Sequence, residues 1–440
     1  METSMRTGIP IPQILVSARL IQSGLHLRSG IRKNQIFLQP PLYCPHTGRK
    51  MNRKTIPDIL GNESGVALLI TLSIIAILLS VSLELNRRVK IGIITAETGK
   101  IDYQLMEMAE SGINIAKALL VKDANENNID SVQEEWSDPE ALDNIIKSIG
   151  FGNGDIKLKI FDEMGKIQVN ALINEYPGHE VNVAQKQIWE NLLSFFISSD
   201  KSQDQRDPQE IINSLIDWLD DLDGEAITGI SGAESSYYES LEIPYRCANR
   251  EFFDLNELFF VKGISKNMLS QAENIGNLFF DQDNQDDSNK ELQLKLNDIF
   301  TVFGTKKNKT ENQDNPNKKY RFSGKININT APVPVIAAML PFGKQDLAVS
   351  ISEHRLLKPD EQESGYTNDL SLKDWYADIA GLTEKEKVKI AKIITYSSNI
   401  FSIESHVRFN GRTLVLTNVI SRQRDETGQW YCKTLRQLID

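Results

Sequence analysis

Cysteine and histidine are nearly missing from this chain: Cys44, Cys247 and Cys432 form no C-x-x-C pair, and five histidines are scattered over 440 residues. A disulfide framework and a zinc site of ordinary spacing are thereby excluded. Outside the cytoplasm Cys247 and Cys432 could pair, or they could stay as separate thiols, and the spacing leaves both open. The short motifs of catalysis are missing as well. There is no G-x-S-x-G elbow, no H-E-x-x-H and no P-loop, while His179, His354 and His406 stand apart from any nucleophile. The glycines Gly150, Gly152 and Gly154 lack the strand-loop-helix order and the lysine of a phosphate cradle, so they read as a flexible turn. A chain without turnover is expected.

Positive charge is scarce beyond the first segment. Residues 1–65 hold nine Lys/Arg against three Asp/Glu, a balance of +6, and since the whole chain carries −11 the remainder is −17. Such an acidic body repels phosphate backbones and attracts cations, so no nucleic-acid partner is expected. With 40% apolar residues there is material for more than one core.

What the chain does have is one long apolar run. Val66 to Leu83 reads VALLITLSIIAILLSVSL, with no charged residue; at 1.5 Å per residue this spans about 27 Å, close to the thickness of a bilayer core. Arg49, Lys50, Arg53 and Lys54 lie on its N-terminal side, which keeps that end cytoplasmic and exports the acidic body. The run continues directly into charged helical text, unlike a signal peptide with its small-residue cleavage site. Residues 1–50 are Pro-rich and irregular, so Met51 reads as a start that leaves a basic leader of ordinary size, a genuine long extension being the alternative. Leu105, Ala109, Gly112, Ile113, Ala116 and Leu119 then recur at helical steps, implying one helix from the membrane to about Val121, loosened at Gly92 and Gly99.

At Ser64-Gly65-Val66-Ala67-Leu68-Leu69 the chain resembles a type IV prepilin junction. The resemblance implies that prepilin peptidase cuts after Gly65 and that Val66 becomes the new, methylated N-terminus. Most pilins and pseudopilins carry Glu at the fifth mature position, and here that residue is Ile70. A buried carboxylate with no amine to neutralise would be costly, so its loss suits a subunit with no neighbour ahead of it. The downstream segments GKIQVNAL (Gly165 to Leu172), LIDWLDDLDGE (Leu215 to Glu225), GAESSYY (Gly232 to Tyr238), YRCANREFFDLNEL (Tyr245 to Leu258) and KININTAP (Lys325 to Pro332) are similar to those of the K-type minor pseudopilins of type II secretion.

That family implies an α+β chain of type IV pilin-like fold: a long N-terminal helix on a small antiparallel sheet, with a large inserted helical domain. The expected division is a leader at 1–65, a membrane part at 66–83, a periplasmic helix at 84–122, a first pilin-like part at 123–174, the insert at 175–398 and the remaining sheet at 399–440. Within this frame Ile156 to Leu172 alternates apolar and polar around Glu163-Met164-Gly165 and reads as a hairpin. Three closing strands, IESHVRF, RTLVLTNVISRQ and WYCKTLRQ, are separated by turns at Asn410-Gly411 and Glu426-Thr427-Gly428. Residues 280–320 read as a largely disordered loop. The pairs Phe252-Phe253 and Phe259-Phe260 read as core.

Asp217, Asp220, Asp221, Asp223, Glu225 and Glu234 crowd around the end of a helix over Ile211 to Trp218, in a turn-rich segment. Clustered carboxylates need a counter-charge, and calcium takes many oxygens in loose geometry where magnesium keeps its waters. Relatives bind calcium in this region, which points to Asp217, Asp220, Asp223 and Glu234 as ligands, with Asp221 and Glu225 as substitutes. The spacing is not that of an EF-hand, and Ser235 stands where relatives tend to place an acid.

The resemblance implies a minor pseudopilin at the pseudopilus tip, in the inner membrane with a cytoplasmic N-terminus and a periplasmic body. It would nucleate assembly with the I- and J-type minor pseudopilins above the H-type subunit and the major pseudopilin, for export across the outer membrane. Secreted substrates or the outer-membrane secretin are further contacts it implies. A second reading is a signal-anchored periplasmic protein with DNA-binding helix-hairpin-helix units: ININTAPVPVIAAML with Pro341-Phe342-Gly343, Ala348, Ile351 and Arg355 resembles one, and Leu258 to Ile264 offers a weaker copy. Only Gly343 is present where paired glycines grip phosphate.

Overall fold

A computed structural model describes residues 63–152, 154–199, 207–224, 226–265, 295–308, 319–359 and 365–440. The leader before residue 63, Glu225 and most of the expected 280–320 loop lie outside the described residues. The chain divides into two compact units, one up to Val81 and one from Ser82 onward. In the first, residues 63–81 are helical throughout, with exposed apolar side chains from Val66 to Val81.

Helix α1 runs Glu63–Glu126, unbroken at Gly92 and Gly99 and past the end expected near Val121. Among the described residues it is the helix long and apolar enough to cross a membrane. Its second half buries Leu105, Ala109, Ile113, Ala116 and Leu120. Those positions recur at three- and four-residue steps and lie on one face. Leu120 takes the place expected of Leu119, which is only half-buried. Gly112 lets the helix lie close to the sheet: a Cβ there would come within 2.4 Å of Ser405 Oγ and 3.0 Å of Leu158 Cδ2.

Strand β1 is Asp155–Asp162, β8 Ile400–Phe409, β9 Arg412–Arg424 and β10 Trp430–Ile439. They form a four-stranded antiparallel sheet in the order β1-β8-β9-β10. Strict alternation in β1 turns Ile156, Leu158 and Ile160 toward α1, where they meet Phe401, Ile403, Val407, Leu416 and Ile420 in one core. The three closing strands and their turns stand where the alternation placed them. Gly411 and Gly428 have φ of 77° and 84°, the left-handed region that tight hairpins demand.

The hairpin expected over Ile156 to Leu172 does not form. Strand β1 pairs with β8 instead, Ile160 opposite Ile403. Asp162 caps the 3-10 turn Glu163–Gly165 by accepting from the Met164 N–H at 2.7 Å. Gly165 is packed so tightly against Thr330 that a Cβ would sit 2.7 Å from its hydroxyl. Beyond it alternation stops: Ile167, Val169, Ala171 and Leu172 are all buried, in a second core. β2 (Ile167–Gln168) pairs in parallel with β3 (Phe300–Thr301).

Helix α2 (Pro139–Ile149) precedes β1 and buries Leu142 and Ile146 in the first core. The described segments between β1 and β8 supply most of the second core, through α3 (Val183–Ser199) and α4 (Pro208–Leu219) and later helices at Val333–Met339, Leu347–Leu356, Trp375–Ile379 and Glu384–Ile393. Short ladders join β4 (Lys306–Asn308) to β5 (Tyr320–Phe322) and β6 (Ile326–Asn327) to β7 (Ile394–Thr395). Trp189 stacks on Phe300 at 4.8 Å, and Trp218 meets Tyr238 edge-on at 5.2 Å. The two phenylalanine pairs are split by the 3-10 segment Leu255–Phe260 and its approach: Phe252 is buried, whereas Phe253 and Phe260 are exposed. Cys247 and Cys432 both carry free thiols.

Candidate functional site

The acidic segment begins where α4 ends. Asp207 caps this helix through the Gln209 N–H and Pro208 occupies its first turn, so its register is fixed and Asp217 faces inward. Asp217 is fully buried and ties down the loop that follows: its Oδ1 accepts from Thr228 N–H at 2.9 Å and its Oδ2 from Ala233 N–H at 2.6 Å. Gly232 permits the second bond, for a Cβ there would lie 2.1 Å from Asp217 Oδ2. On the next residue, Trp218 seats the segment against Tyr238, Tyr245 and Phe252.

Asp220 closes α4, 2% exposed, and accepts from Leu222 N–H at 2.9 Å. Burial, with Asp217 and Asp221 nearby, pushes its carboxyl up to about 6. Asp223 lies at the surface and is held below the usual carboxylate range by the Gly224 N–H and by Ser235, whose hydroxyl donates to it at 3.0 Å. Ser235 thus supports the Asp223 carboxylate and supplies no acid of its own. Asp221 turns to His179, with Oδ1 3.1 Å from Nδ1. Glu225 lies outside the described residues.

Glu234 is the anomaly. Its side chain is fully buried, and neither carboxylate oxygen meets a hydrogen-bond partner among the described residues. Burial, reinforced by Asp217, Asp220 and Asp223, pushes it up to about 8. An isolated buried carboxylate must either keep a proton or acquire a cation. The surrounding donors are oxygens, which select a hard cation of the calcium kind over a soft one. Asp217, Asp220 and Asp223 bring such oxygens near Glu234, but among the described residues no three ligand oxygens of this segment lie within 4.8 Å of one another, and Asp221 is drawn off toward His179.

A tighter gathering escaped the sequence. Ligand oxygens of Asp123, Asp130 and Glu134 lie within 4.8 Å of one another. A cation already stands there: the Arg422 guanidinium donates to Asp123 at 2.8 Å and to both oxygens of Asp130 at 2.6 and 2.8 Å. No short spacing announces this group, because Arg422 arrives from the penultimate strand, 292 positions beyond Asp130.

Two other sequence-marked positions are also defined. Gly65 and Val66 lie in the first turns of α1, and a Cβ on Gly65 would meet nothing within 4 Å. Packing does not demand glycine there. Gly343 has φ of 82°, but its N–H is taken by Gln345 Oε1 at 2.7 Å, so the one hairpin glycine is not left free for phosphate.

Residues 165–275 match a family model described as type II secretion system, protein K. Over 210 residues the chain is 27% identical to the type II secretion system protein K of Pseudomonas aeruginosa, covering 46% of this chain and 57% of that one. Over 207 residues it is 23% identical to the protein of the same description from Pectobacterium carotovorum subsp. carotovorum, covering 47% and 60%. The match thus spans less than two thirds of these relatives. In fold it is similar to a chain in the crystal structure of the GspK-GspI-GspJ complex from the enterotoxigenic Escherichia coli type 2 secretion system, with a TM-score of 0.51 and 15% identity over 78% of this chain and 99% of that one.

Proposed function

We propose, from the match of residues 165–275 to a model of type II secretion system protein K, that the chain acts as a minor pseudopilin at the tip of the secretion pseudopilus. The observation that carries this reading is the interrupted sheet: β1 and β8 are hydrogen-bonded neighbours, yet the whole K-domain match lies between them in sequence. A long helix packed on a small antiparallel sheet is the pilin-like frame, and the helical domain is its insertion. The helix-hairpin-helix-like units serve as packing elements, a role supported by burial of Val335, Ile336, Ala348 and Ile351.

In this reading residues 66–83 anchor the protein in the inner membrane, with a cytoplasmic leader and a periplasmic body. Prepilin peptidase cuts after Gly65, and Val66 is then methylated. The I- and J-type minor pseudopilins are its assembly partners, with the H-type subunit and the major pseudopilin below. A bulky insert and Ile70 in place of the usual Glu both suit a subunit with none above it. Calcium held by Asp217, Asp220, Asp223 and Glu234 keeps the loop on the Trp218 core, a structural role without turnover. Mass spectrometry of the protein extracted from membranes tests the processing: a mature N-terminus at Val66 is expected, and a retained basic leader would overturn it.

A further inference from the structure

Segment 127–137, just beyond α1, touches the sheet and the later part of the inserted domain. Asp130 N–H donates to Tyr396 O at 2.9 Å, and Asn327 Nδ2 donates to Asp130 O at 2.9 Å. Gln133 Nε2 bonds the carbonyls of Arg355 and Asn368, at 2.8 and 3.0 Å. Trp136 packs edge-on against Phe401 of β8, centroids 5.3 Å apart. One short stretch thus holds the end of the long helix, the sheet and the inserted domain together.

Its charges do not balance. Asp123 from α1, Asp130 and Glu134 from the segment itself, and Asp162 from the end of β1 face a single guanidinium, Arg422 of β9. Asp162 is served by neutral donors, with Thr330 at 2.6 Å, Asn327 at 2.9 Å and Ser398 at 2.5 Å all on Oδ2. The nearby pair Lys122–Glu135 lies at the surface and lends no net charge. Asp123 and Asp130 share the guanidinium, and Glu134 has neutral donors alone: Trp136 Nε1 at 2.6 Å, Ser131 N–H at 3.1 Å and the Asn127 amide at 3.2 Å. That amide also donates to Asp123 at 3.3 Å, so one neutral group stands between two carboxylates.

We propose that segment 127–137 is a proton-held clasp: a proton retained on Glu134 keeps the third carboxylate neutral, and its loss loosens the junction between helix, sheet and insert. Burial and then Asp123 push Glu134 up to about 8, and burial pushes Asp130 up to about 7 against the pull of Arg422. The sign follows directly. A carboxyl raised in the folded state stabilises the fold most in acid, and that contribution fades as pH climbs from the ordinary carboxylate range through the raised value.

Hydrogen exchange at the amides of Ser131 to Trp136, corrected for intrinsic rates, would be measured on the full chain in detergent micelles, once in calcium excess and once with chelator. Opening in the unmodified protein should rise by up to about tenfold per pH unit between about 6 and 8 in both. Glu134→Gln, which keeps shape and removes that titration, should keep more protection and show a shallower rise than the unmodified protein, the raised Asp130 alone supplying what slope remains. Trp136→Phe removes a donor that favours the ionised form, so it should move the midpoint to higher pH. A Glu134→Gln profile as steep as the original, an unmoved midpoint in Trp136→Phe, or a slope that vanishes in calcium would each overturn the clasp.

Discussion

Arg422 Nη2 reaches both carboxylate oxygens of Asp130, at 2.6 and 2.8 Å, while its Nη1 caps the Leu120 carbonyl of α1 at 2.9 Å. Both side chains are almost wholly buried, 5% and 1% exposed. Removing one member leaves the other as an uncompensated charge, which costs about 3–5 kcal/mol. Arg422→Leu should therefore lower the denaturant midpoint of the full chain steeply. Pairing it with Asp130→Asn should recover much of the loss, and a double variant no better than the single would refute the direct coupling.

At Gly112 the expectation is steric. Gly112→Val must displace Ser405 or lift α1 from the sheet, since even a Cβ overlaps the Ser405 hydroxyl. Overpacking of this sort costs about 1–3 kcal/mol. Ser405→Gly in the same chain should return part of it. Thermal unfolding of the two variants side by side is the check, and an unaffected Gly112→Val would show that the helix is not tightly seated.

Local pattern made the frame legible, and chain-distant charge did not. Alternation placed β8, β9 and β10, and helical steps placed all but one residue of the buried stripe on α1, because each signal is confined to one element. The failure at Ile156 to Leu172 has a physical cause. Two short alternating runs around a turn look like a hairpin whichever neighbour they pair with, and the neighbour chosen, β8, lies more than two hundred positions away. The site divides in the same manner. Asp217, Asp220 and Asp223 are visible as a local cluster, but that Asp217 pins the loop, that Asp221 turns to His179 and that Glu234 meets no donor among the described residues depend on contacts no short spacing announces. The Asp130–Arg422 pair offered no local sign whatever.

Gly232 gives a prediction about the acidic loop itself. Its replacement by alanine drives a methyl into Asp217 Oδ2 and the Thr228 carbonyl, at 2.1 and 2.8 Å. The bonds from Asp217 to Thr228 and Ala233 should break together, costing about 1–3 kcal/mol for the polar group left unsatisfied. Gly232→Ala should melt earlier and respond less to calcium than the unmodified chain. An unchanged calcium response would place the ion elsewhere.

Glu234 separates the ion from the loop. Its carboxyl is buried with no donor among the described residues, so Glu234→Gln should be harmless or slightly stabilising in chelator. With calcium at about a hundred times its dissociation constant, the unmodified protein should gain about 2.7 kcal/mol, and the variant should gain far less. Proton competition fixes the pH trend. Because Glu234 holds its proton up to about 8, calcium must displace it, and affinity should weaken steadily as pH falls below that value. Calorimetry across that range in buffers of different ionisation heat would count the proton released; calcium binding with no proton release, or an undiminished calcium response in Glu234→Gln, would remove Glu234 from the ligand set.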